Sequence, residues 1–177
     1  MTIRISLSIR GALLAALVVG STTGCSVFQP ERTGQAPGKE YTITVRNALT
    51  KERFAPILIV GDADDKKIWV GPYVSPEAHT QFTTGNPGPL AAVLGGDQGQ
   101  PGKVPVGGEV TFTFRTPART ARITAMVHPD ITPDNYVTVL LDLARPGTVD
   151  LERFDIGDDE KRFSVVKVGP AGSVTFR

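Results

Sequence analysis

YTITVRN, residues 41–47, alternates strictly. Tyr41, Ile43 and Val45 fall on one side of an extended chain, and Thr42, Thr44 and Arg46 on the other. A period of two marks a strand with one buried face and one wet face. EVTFTFRT (109–116) repeats it, setting Val110, Phe112 and Phe114 against Thr111, Thr113 and Arg115. ARITAMVH (121–128) puts Ile123, Ala125 and Val127 on one face, and APILIV (55–60) is apolar enough for a strand buried on both. With IWV (68–70), YVTVLLDL (136–143), RFSVVKV (162–168) and SVTF (173–176), about eight short strands are predicted. The expectation is an all-β fold, an antiparallel β-sandwich with short helical turns in its loops.

The connecting segments read from their turn chemistry. GDADDKK (61–67) predicts a hairpin turn that brings IWV back against APILIV. In SPEAHTQFTTG (75–85), Ser75 is placed to cap a helical turn and Pro76 to open it. GPLAAVLGG (88–96) fits a short helix or a loop, and GGDQGQPGKVPVGG (95–108) reads as a Gly/Pro-rich loop. No internal repeat and no nucleotide-binding βαβ pattern is visible.

Composition sets the class. The chain has 177 residues, 40% hydrophobic and 21% charged, enough for one domain with one core. Its formal net charge of +1 provides no field for nucleic acid. The first twenty-five residues differ in kind. MTIRISLSIR carries two arginines and no acid, GALLAALVVG is an apolar run, and STTGC ends in the only cysteine. That order is a secretory signal, residues 1–24, and the apolar run is too short for a membrane span. Without Arg4 and Arg10 the chain keeps 17 basic against 18 acidic side chains. Residues 25–40, rich in Pro, Gly and charge, read as a flexible tether with a reach of roughly 20 Å.

STTGC resembles the lipobox of bacterial lipoproteins, with Gly24 before the cysteine. The resemblance implies acylation of Cys25 by palmitate-like chains and an anchor in lipid. Ser26 after the cysteine implies an outer-membrane address. At about 0.8 kcal/mol per buried methylene, several chains hold where one is marginal.

A second resemblance spans about 120 residues of the domain expected at 41–177. The Tyr41 strand, NALT at 47–50, FAP at 54–56, the glycine-rich loop before GGEVTFTF, ITAMVHP, TPDNYV and FDIGDDE follow one another as in the spondin N-terminal domain in its bacterial form. Tyr136 stands where that family has Phe, and Asp159 where it has Glu. The resemblance implies a β-sandwich that works outside the cell as a binding or adhesive module and not as an enzyme. It also implies a calcium ion, with Asp134, Asp155 and Asp159 as its carboxylates, since a hard cation takes six to eight oxygens from loops. Its partners would be an envelope or extracellular protein or glycan.

Other sites compete with that trio. HPDITPDNYV (128–137) has what a strand-connecting loop needs, with Thr132 to cap, Pro133 preset for a turn and Asp134 able to bind backbone amides. Asp62, Asp64 and Asp65 offer alternate carboxylates but miss the EF-hand spacing. His79 and His128 are the only histidines, too few for a zinc site without several carboxylates. No Gly-x-Ser-x-Gly elbow is present. Trp69 is expected to pack one face of a hairpin. The alternatives to a binding module are an assembly lipoprotein that joins partners through strand edges, and an envelope hydrolase.

Overall fold

The computed structural model describes residues 38–128, 134–156 and 165–177. The expected signal peptide (1–24), the acylated Cys25, the tether as far as residue 37, and Asp159 lie outside the described residues. No helix among the described residues is long and apolar enough to cross a membrane.

The fold is all-β, as the alternation predicts. Eight strands form one antiparallel sheet: β1 (Lys39–Asn47), β2 (Arg53–Gly61), β5 (Gln98–Val104), β6 (Glu109–Thr116), β7 (Thr120–His128), β8 (Asn135–Asp142), β9 (Gly147–Asp155) and β10 (Val166–Phe176). Their order is β5-β2-β7-β8-β9-β10-β1-β6. The edge strands β5 and β6 lie against each other, so the sheet curls into a near-barrel. This corrects the expected sandwich of two stacked sheets. The cause is visible in the ladder. Extra residues shift the register in β2 between Phe54 and Ile57, and in the β9–β10 pair near Gly169 and Gly172. Bulges bend and overtwist a strand, which lets one sheet wrap instead of splitting.

Several segments differ from the sequence reading. β5 occupies the stretch read as a loop. β9 was not foreseen, and Val166, Lys167 and Val168 share the single strand β10 with SVTF. The Asp62 turn does not return the chain against β2. A 3₁₀ turn (Asp65–Lys67) leads instead to a separate hairpin of β3 (Trp69–Val70) and β4 (Tyr73–Val74). The reason lies in Asp62, whose Oδ1 accepts from the Arg119 and Thr120 amides at 3.2 and 3.0 Å. Those bonds spend the turn on β7 and send the chain over the sheet's outer face.

Two apolar clusters follow from the curl. Ile43, Val45, Phe54, Ile57, Ile59, Ile123, Val137, Leu151 and Val174 are among the residues that fill the interior. Eight strands leave a bore that side chains can close. Outside, Leu58, Val60 and Tyr136 are covered by Ile68, by Ala78 and Phe82 of α1 (Pro76–Thr84) and by Leu90 of α2 (Gly88–Leu94). That double burial explains why β2 reads as apolar throughout. Ser75 caps α1 as predicted, accepting from the Ala78 amide at 3.1 Å. The helix ends at Gly85, φ 71°, whose missing side chain matters because a Cβ there would come within 2.9 Å of Ala55.

Candidate functional site

Antiparallel pairing fixes which groups share an end. Arg53 pairs with His128, Phe54 with Val104, Val127 with Asn135, and Asn135 with Asp155. One end therefore collects Asn47, Glu52, Arg53, Lys103, His128, Asp134, Asn135 and Asp155. At the opposite end Lys39, which opens β1, pairs with Thr116.

Beneath the collecting end the interior is closed by polar groups. β9 carries Leu151, Arg153 and Asp155 on its inward face, so the apolar alternation turns charged as the strand reaches the rim. Arg153 forks onto Glu52 at 2.6 and 3.2 Å, and its Nε donates to Asn135 Oδ1 at 2.7 Å. Both charged side chains are nearly buried, 14% and 10% exposed. Asn135 Nδ2 reaches Asp155 Oδ2 at 3.4 Å. Asn47, fully buried, donates to the carbonyls of Glu52 and Pro105 at 2.7 and 3.1 Å, which fixes the chain on either side of the pair.

Two of the three predicted residues come to this rim. The Ile156 amide donates to the Asp134 carbonyl at 3.0 Å, so Asp134 and Asp155 flank one rim. Asp134 holds φ 77°, a left-handed geometry that Asp tolerates and that marks a constrained turn. The fit to calcium is partial. Among the described residues no three acidic or histidine side chains converge on one point. Asn135 Oδ1 is taken by Arg153, whose guanidinium already supplies positive charge beside Asp155. A calcium ion here would depend on Asp159 for its third carboxylate.

The rival acids have other partners. Asp62 clasps the Arg119–Thr120 corner, Asp64 caps the 3₁₀ turn through the Lys66 amide, and Asp65 pairs with Arg122. Arg122 also lies over the Trp69 ring, 5.1 Å from its centroid. Trp69 joins the outer cluster, as expected of a packing residue, and donates to the Tyr136 hydroxyl at 2.9 Å. Tyr136 stacks on Phe82 at 3.9 Å. Its burial pushes the phenol pKa up to about 12, against the lowering pull of the Trp69 bond and Arg122.

A cleft of about 260 Å³ opens where β2 bulges. Ala55, Pro56 and Gly85 form its apolar floor, and Thr84, Asn86, Lys103 and His128 its walls. Pro56 has no amide to give the ladder, so the strand bows out between Phe54 and Ile57. Arg53 donates to His128 Nε2 at 3.1 Å. Nothing local to either strand of the sequence places His128 beside Lys103.

No protein-family model and no curated protein matches the chain.

Proposed function

We propose that the chain is an acylated cell-envelope protein, anchored in the outer membrane through Cys25, whose barrel is a binding module and not an enzyme. The observation that carries this reading is the polarity of the barrel. The chain enters β1 at Lys39, and the rim with Asp134, Asp155, Lys103 and His128 lies at the other end. At roughly 3.3 Å per residue, a nine-residue strand offsets the two by about 25 Å. The rim that gathers Asp134, Asp155, Lys103 and His128 thus lies away from the end at which the chain enters the barrel. The spondin-like order of motifs supports an extracellular type of partner, a protein or glycan. Calcium, held by Asp134, Asp155 and Asp159, would add positive charge to that rim and order its loops.

Fractionation of cells expressing Cys25→Ala beside the native chain tests the anchor. The native chain is expected with membranes and the variant in the soluble fraction, and equal partition would end the reading. Chelation tests the ion separately. A fall in the melting temperature of the detergent-purified full chain, absent in Asp134→Ala, is expected, and an unchanged transition removes calcium while leaving the module.

A further inference from the structure

The cleft at the β2 bulge has an unusual balance of donors and acceptors. Asn86 Oδ1 accepts from the Gly88 amide at 3.0 Å. An amide N–H can only donate, so the atom facing it is the oxygen, and the Asn86 NH₂ is left over. Thr84 is spent in both senses, donating to the Thr80 carbonyl at 2.6 Å and accepting from the Asn86 amide at 3.3 Å. A guanidinium has no acceptor, so its contact with His128 makes Nε2 the acceptor and leaves Nδ1 with the proton. Lys103 adds a cation with three donors. Among the described residues no acidic side chain lines the cleft. The side-chain capacity that remains is thus for donating alone.

From this geometry we infer that the cleft binds a small organic carboxylate, whose oxygens take hydrogen bonds from Lys103, Asn86 and His128 while its hydrocarbon rests on Ala55, Pro56 and Gly85. The size agrees. About 260 Å³ is below the range of roughly 300–1,000 Å³ that drug-sized ligands occupy, which suits an acid of a few carbons or the carboxyl end of a longer chain. Arg53 keeps the His128 ring in place and adds positive charge behind it. The inference rests on reading the domain as a binding module, but it does not need the anchor or calcium.

The test is titration of the full chain with sodium propionate, following the His128 ring resonances, with propionamide as the neutral isostere and inorganic phosphate as a second anion. Saturable shifts with propionate, and none with propionamide, are expected. Lys103→Ala removes a charge-assisted bond from an exposed position, where folding is unaffected, and should weaken binding about tenfold or more. Asn86→Asp keeps the acceptor for Gly88 and replaces the cleft's NH₂ by a carboxylate oxygen, so it should abolish saturation. The inference is overturned by an absent or non-saturating response, by equal response to propionamide, by phosphate binding as tightly as propionate, or by unchanged affinity in both variants. Membrane partition of Cys25→Ala reports on the anchor independently of each of these results.

Discussion

The two ends of the barrel are closed by different means. At the Lys39 end, carboxylates tie short corners: exposed Asp62 takes the Arg119 and Thr120 amides, and half-buried Asp97 accepts from the Thr116 hydroxyl at 2.7 Å. At the opposite end Glu52, Arg153, Asn135 and Asn47 are drawn inside. Exposed ties compete with water and contribute little each, whereas a half-broken buried pair leaves a charge with no solvent to receive it. The lesson is that the end carrying the cleft stands on the less forgiving foundation.

The strongest way to break the contrast is Glu52→Ala. Removing the buried carboxylate that Arg153 forks onto should cost about 3–5 kcal/mol in urea unfolding, and pairing Glu52→Leu with Arg153→Met should recover most of the loss. Gly172→Ala probes the same end. A Cβ there would collide with the Arg46 carbonyl oxygen, so backbone must move, and a loss of about 3 kcal/mol is expected by the same measurement.

Tyr136 provides a pH test on the outer face of that end. Its folded pKa, about 12, exceeds the ordinary value of 10, so between those limits the native state holds a proton that the unfolded state has lost. Stability is therefore full below pH 10 and falls as pH rises toward 12, by about 2–3 kcal/mol at most. Tyr136→Phe should flatten this slope, which melting curves across that range would reveal. The smallest effect belongs to the other end. Asp62→Ala, at an exposed corner, should cost about 1 kcal/mol, and Asp62→Asn less, since Asn keeps an acceptor and tolerates the φ of 43°. A cost for Asp62→Ala equal to that of Glu52→Ala would erase the distinction between the ends.

How much of this was legible in the sequence depended on what each strand buries. β1, β6 and β7 place apolar residues on one side along most of their length, and their alternation is plain. β9 does the same only as far as Leu151. Arg153 and Asp155 then take the inward positions because the barrel's end is polar, and the pattern dissolves. β5, QGQPGKV, has no pattern at all. It is a strand because β2 offers it an edge, where proline and glycine are tolerated. The helix cap at Ser75 was legible because capping is local chemistry. The Glu52–Arg153 pair was not, since 101 residues separate its partners. The same holds for the cleft, whose Lys103 and His128 come from strands on either side of β2. Of the predicted carboxylates, the ladder brings Asp134 and Asp155 to one rim because β8 and β9 are neighbours.

The pairing of β1 with β10 has a consequence for biosynthesis. Ile43 lies across from Phe176, and Thr42 exchanges both backbone hydrogen bonds with Arg177, at 2.9 and 3.1 Å. The opening strand of the domain thus waits for the closing one, and a partly synthesised polypeptide has no complete sheet to collapse into.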